Sequence, residues 1–145
     1  MTIKTKFERI QQALENIAKE LITENKIKSV GIAEFARPPL FPAVLVWIRR
    51  GESKDVKVAG TEKLHVWRFE YVILTRAGTS REAYDSAMDI MFTLYEKIIN
   101  NRTLGITDFS VEATPAPTFE RYESEGQGGQ YAHIVVMAID VRVEG

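Results

Sequence analysis

The segment LHVWRFEYVILTR, residues 64–76, alternates in character along its whole length. His65, Trp67, Phe69, Tyr71 and Ile73 share one parity, while Val66, Arg68, Glu70 and Val72 share the other. Successive side chains of a strand point to opposite faces. A period of two over this distance therefore predicts one long strand. Its aromatic parity is expected to face a core, and Arg68 and Glu70 to face water or a partner.

Upstream, KTKFERIQQALENIAKELITEN places Phe7, Ile10, Leu14, Ile17 and Leu21 at steps of three and four. That spacing predicts an amphipathic helix. A short coiled-coil seam has the same spacing, but a helix lying on a sheet fits the length better. Asn25 is the expected stop. KIKSVGIAEFA reads as a strand around Val30 and Ile32, and RPPLFP must interrupt pairing, because proline has no N–H for a ladder. AVLVWIRR, residues 43–50, is apolar on both parities until its arginines, which predicts a central strand covered on both faces. GESKDVKVAGTEK reads as a charged loop with a short strand at residues 56–58.

Downstream, Thr79 followed by Glu82 has the form of a capping box. Ala83, Ala87, Ile90, Met91, Leu94, Ile98 and Ile99 make a wide helical face, which NNRTLG is expected to close with a left-handed cap. ITDFSVEAT reads as a short strand stopped by PAP. TFERYESEGQGG reads as a polar connection, and QYAHIVVMAIDVRVE as the most apolar strand. The order is α-β-β-β-α-β-β. It predicts a two-layer α+β fold with a mostly antiparallel sheet of four to five strands packed by two helices. With 145 residues, one domain over 1–145 is expected.

The chain has no cysteine, two histidines and a formal net charge of −1. Disulfides, thiolate metal sites and cysteine nucleophiles are therefore excluded. The basic surplus of a nucleic-acid binder is absent. No apolar run approaches the roughly 20 residues of a membrane-spanning helix. The N-terminal residues lack the apolar region of a secretory signal, so synthesis in a cytoplasm is expected.

SEGQGGQYAH, residues 124–133, has the glycines of a phosphate cradle. However, neither a Lys-Ser or Lys-Thr pair nor a helix follows them, and a hairpin connection is the better reading. His65 and His133 lie on strands, and pairing of those strands is expected to bring the rings near each other. Spacing supplies no third metal ligand. Asp85 and Asp89 share a solvated helix face. Ser80, Ser86, Ser110 and Ser124 lack the G-x-S-x-G elbow. Trp47, Trp67, Phe69 and Tyr71 could stack bases, but Arg49, Arg50 and Arg68 make a weak groove, and core packing accounts for the aromatics. No cofactor and no catalytic site is expected.

The phrases PAVLVWI, IINNRTLG and YAHIVVMAIDV, within this element order, resemble the tail terminator (tail completion) proteins of tailed bacteriophages and related viruses. The resemblance spans nearly the whole chain. It implies a structural virion protein that forms a ring, usually of six subunits. Such a ring caps the tail tube, ends its polymerisation and meets the head–neck connector, with DNA only passing through the lumen. It implies a place at the head-proximal end of the tail, assembly in the host cytoplasm, and no membrane partner.

The docking candidates come from exposure rather than from the family. They are the loops at residues 49–63 and 119–130 and the polar parity of the long strand, giving Arg49, Arg50, Lys54, Lys57, Arg68, Glu70, Glu125, Gln127 and Gln130. The competing readings are another neck or tail-completion component, a small ligand-binding module or enzyme, and a nucleic-acid-binding module.

Overall fold

The computed structural model describes residues 1–35, 37–55, 63–125 and 129–144, with side chains described except at 53–55, 63 and 117–125. Helix α1, Ile3–Thr23, starts where the Thr2 hydroxyl accepts a hydrogen bond from the Thr5 amide at 3.1 Å. Such a cap satisfies one of the orphan donors of the first turn. The apolar stripe buries Ile10, Leu14, Ile17, Ala18 and Leu21. Just past the C-cap, Asn25 takes a φ of 60°, a left-handed turn that asparagine tolerates well. Helix α2, Ser80–Ile99, begins in the same way, with the Glu82 amide donating to the Thr79 hydroxyl at 3.1 Å. It buries Ala83, Ala87, Ile90, Met91, Leu94 and Ile98. Its C-cap Asn100 stays right-handed, and positive φ falls instead on Leu104 and Gly105. The left-handed turn expected within NNRTLG thus falls at its leucine and glycine rather than at its asparagines.

Five strands form one sheet: β1 (Ser29–Ile32), β2 (Ala43–Asp55), β3 (Lys63–Ala77), β4 (Val111–Glu125) and β5 (Tyr131–Glu144), in the order β1-β2-β3-β5-β4. β1 runs parallel to β2, and the other three pairings are antiparallel. The α+β class and the element order are those read from the sequence.

One parity of β3 holds the two layers together. The Tyr71 hydroxyl donates to the carbonyl of Leu14 in α1 at 2.6 Å, and the Thr75 hydroxyl donates to the carbonyl of Ala83 in α2 at 2.7 Å. Residues four apart in a strand point the same way, so both helices lie on the same face of the sheet. The Phe7 ring of α1 sits 5.4 Å from the rings of both Trp67 and Phe69. From β5, Val135, Met137, Ile139, Val141 and Val143 complete this buried layer.

Three expectations fail for physical reasons. First, β2 is not covered on both faces: on the parity opposite Val72 and Glu70, Leu45 is half-buried and Trp47 is 37% exposed. Its second apolar parity turns away from the helices. Second, residues 51–55 are strand rather than loop, because β2 pairs with β3 as far as Asp55↔Lys63. Ladder pairing overrides the weak strand preference of Gly, Glu, Ser, Lys and Asp. The short strand expected at residues 56–58 lies outside the described residues. Third, PAP does not end β4, which continues to Glu125 after a register shift between Pro115 and Phe119. β4 is an edge strand, and there proline loses no ladder bond on its outer side. TFERYESE is thus strand, not connection.

Removing buried volume from the shared layer is the most damaging kind of change. Phe69→Ala is expected to cost about 3–5 kcal/mol. Phe92→Ala, at a ring 53% exposed on α2, is expected to cost under about 1 kcal/mol. Urea unfolding of the two variants measures the contrast.

Candidate functional site

With both helices on one side, no helix lies over the other face of the sheet among the described residues. Its side chains fall in rows set by the register. Leu45, Val72 and Val136 form one row, with Leu74 and Ile134 beside them. Trp47, Glu70 and Ala138 form the next. Arg50, Arg68, Asp140 and Thr114 follow, then Glu52, Val66, Arg142 and Glu112. The face therefore grades from apolar at one end to charged at the other.

Among the described residues, two side-chain pairs are formed within this face. The Arg68 guanidinium donates to both Asp140 carboxylate oxygens at 2.8 and 2.9 Å, a bidentate geometry that fixes both side chains. The Trp47 indole donates to Glu70 at 2.8 Å. Arg50 stands directly opposite Arg68, so Asp140 lies in a row with two cations. The Arg68 hydrogen bond, aided by the charges of Arg68 and Arg50 and opposed by desolvation, holds the Asp140 carboxyl below its usual range. The same bond raises Arg68.

The two long hairpins turn at opposite ends of the sheet. The β3–β5 ladder runs from Leu64↔Glu144 to Ala77↔Tyr131. At roughly 3.3 Å per residue these ends are about 45 Å apart. The β2–β3 hairpin closes beyond Asp55↔Lys63 at the first end, and the β4–β5 hairpin beyond Glu125↔Tyr131 at the second.

The docking candidates separate accordingly. Arg49 and Arg50 are exposed at a bulge in β2, and Lys54 lies farther along that strand opposite Leu64. Lys57 and Gln127 lie outside the described residues. Arg68 and Glu70 are half-buried in the middle of the uncovered face, bonded to their own chain. Glu125 ends β4 opposite Tyr131, and Gln130 is exposed just before β5. The loop expected at residues 119–130 is strand up to Glu125; Gly129, φ 74°, has the backbone expected of its turn.

The histidines do not meet. His65 pairs with Val143 and His133 with Thr75, at opposite ends of the β3–β5 ladder. Among the described residues no group of three His, Cys, Asp or Glu side chains is placed to hold a metal ion. The aromatic platform also separates: Trp67, Phe69 and Tyr71 are core, while Trp47 lies on the other face. Asp85 and Asp89 are largely exposed and bind Arg81 and Lys26.

One contact had no signal in the sequence. Ser80 Oγ lies 3.1 Å from His133 Nε2, and with Tyr84 and Arg81 they line an open surface depression of about 510 Å³. Ser80 is the first residue of α2 and His133 is in β5. Only the placing of α2 against the sheet brings them together.

No protein-family model matches the chain, and no curated protein matches it. A solved structure does. It is a chain of "Virion of native gene transfer agent (GTA) particle", with a TM-score of 0.54 and 14% identity over 93% of this chain and 94% of that one. The likeness is one of fold.

Asp140 also gives a pH signature. A depressed carboxyl stabilises the native state above its unfolded pKa of about 3.9, and that contribution disappears as pH falls through the lower folded value. Asp140→Asn is expected to be less stable than the parent at pH 7. The gap should narrow steadily below about pH 4. Denaturant midpoints across that range measure it.

Proposed function

We propose that this chain is a structural virion protein whose copies form a ring, six in number, capping the tail tube of a phage-like particle. The ring ends tube polymerisation and joins the tail to the head–neck connector. Residues 1–145 act in it as one domain, without a cofactor or a catalytic role. The site of action is the head-proximal end of the tail, and DNA crosses only the lumen.

The observation that carries this reading is the opposed pair of hairpin ends. A ring between a tube and a connector needs two contact surfaces facing in opposite directions. A long sheet whose two hairpins close about 45 Å apart supplies both from one rigid element. The fold shared with a chain of a gene transfer agent virion, over almost the full length of each, supports a role in a particle of that kind. The Arg68–Asp140 pair at the middle of the uncovered face also suits a passage for DNA. Arg68 is already neutralised by Asp140, and an unpaired basic lining would hold phosphates.

The Ser80–His133 contact favours a second reading, a hydrolase in which His133 takes the proton of Ser80. Ester hydrolysis that Ser80→Ala abolishes is the result that would establish it.

Light scattering across a concentration series, with negative-stain imaging of protein alone and protein mixed with tail tubes, tests the ring. A closed ring of six at tube ends is expected. Immunogold label at the distal tip of tails, or along them, would refute the assignment. Deleting residues 126–129 is expected to leave the unfolding midpoint within a few degrees and to abolish tail completion. Deleted protein that still completes infectious tails would remove that hairpin from docking.

A further inference from the structure

Besides the outer side of the short β1, the described residues of the sheet leave two long stretches of edge unpaired. β1 covers β2 only from Ala43 to Val46. Beyond it, among the described residues, nothing pairs with the outer side of β2 at 47–55, and residues 47–52 are all exposed. On the far side of the sheet, the first part of β4 is held by the loop before it, where the Ala113 amide donates to the Arg102 carbonyl at 2.7 Å. After the proline bulge, among the described residues, nothing pairs with the outer side of 119–125. An open edge presents a row of backbone donors and acceptors that another strand can pair with.

We propose that these two edges are the two halves of one interface: residues 47–55 of β2 in one copy pair antiparallel with residues 119–125 of β4 in the next. The sheet then continues around the ring, with helices outside and the uncovered face lining the lumen. This inference rests on the ring reading and names the contact that closes it.

Three observations select a second copy as the occupant. The first is direction. β2 opposes β3, β3 opposes β5 and β5 opposes β4, so β2 and β4 point in opposite ways. Rotation about an axis that keeps strands in register with the ring preserves this, and the joint is antiparallel.

The second is stagger. The two free edges are not level in one copy. Arg50 lies in the row of Asp140, and Gly51 in that of Val141, whereas Glu120 lies opposite Val136 and Tyr122 opposite Ile134. Between the edge midpoints, Gly51 and Tyr122, the offset along β5 is thus the distance from Val141 to Ile134, roughly 23 Å. Four strands repeat per copy, about 19 Å across at roughly 4.8 Å each. Bringing the edge midpoints together tilts the strands by about 50°, close to the roughly 35–45° tilt of closed barrels.

The sign of this tilt is also the natural one. Parallel strands joined through a helix cross over with a right hand, and α2 joins β3 to the parallel strand β4. Seen from the helices, with β3 and β4 pointing up, the order β2-β3-β5-β4 then runs left to right. Right-handed strand coiling raises each copy relative to the one on its left. That movement lifts the lower part of β2, residues 47–55, to the upper part of β4, residues 119–125.

The third is charge. Residues 47–55 hold Arg49, Arg50 and Lys54 against Glu52 and Asp55. Residues 119–125 hold Glu120, Glu123 and Glu125 against Arg121. A net basic edge meets a net acidic one, which favours the heterologous joint over either edge pairing with itself.

The chain has no cysteine, so a cysteine pair reports the joint directly. Glu52→Cys is combined in turn with Glu120→Cys, Tyr122→Cys and Ser124→Cys, positions whose register rows continue the uncovered parity. Oxidised ring preparations are expected to give a ladder of covalent multimers ending at the ring size for one of the three pairs, and none for the single variants. The unmodified protein supplies a second readout. Amide exchange at 47–55 and 119–125 is expected to slow at least about tenfold on assembly. Rings that form with neither a ladder nor slowed exchange overturn the edge joint and leave the ring reading standing. Absence of any ring, alone or on tail tubes, overturns both.

Discussion

Both layers of this protein hang from one parity of β3. Phe69, Tyr71 and Ile73 bury their side chains completely, and the hydroxyls of Tyr71 and Thr75 reach the carbonyls of Leu14 and Ala83. Those two bonds tie α1 and α2 to a single side of the sheet. A five-stranded sheet with both helices on one side has a second side that no helix covers. The amphipathic strand, the two helical stripes and the uncovered face are consequences of the same alternation.

That uncovered face is managed rather than left raw. Arg68, half-buried on β3, is clamped by Asp140, and the Trp47 indole is tied to Glu70. The apolar rows keep Leu45, Val72 and Val136 half-buried by one another. Such a surface neither collapses as a core does nor presents a strong field to passing polyanions. In the proposed ring it faces the lumen. The free edges and the opposed hairpin ends are left for contacts around the ring and along its axis.

Much of the fold was legible because its signals were local. The period of 3.6 in α1 and α2, the period of two in β3, and the Thr79 cap each act within a few residues. What escaped the sequence was long-range. AVLVWIRR reads as doubly covered, because apolar parity does not say what covers it; β2 in fact sits one strand from an edge. The prolines of β4 read as a stop, because tolerance of proline depends on edge position, which only the sheet order reveals. GESKD reads as loop because its composition is poor for strands, yet pairing to β3 holds it in the ladder as far as Asp55. Of the candidate site residues, Arg68 and Glu70 were correctly set on the polar parity, but their partners Asp140 and Trp47 come from register. The closeness of Ser80 and His133 likewise depends on how α2 lies on β5.

The central claim is that the face without helices is the inner surface of an assembly. A cryo-EM reconstruction of the ring on a tail tube tests it most directly. The account predicts α1 and α2 on the outer wall, with Arg68, Asp140 and Val72 lining the lumen. A reconstruction with the helices facing the lumen, or with Arg68 and Asp140 on the outer wall, would contradict it.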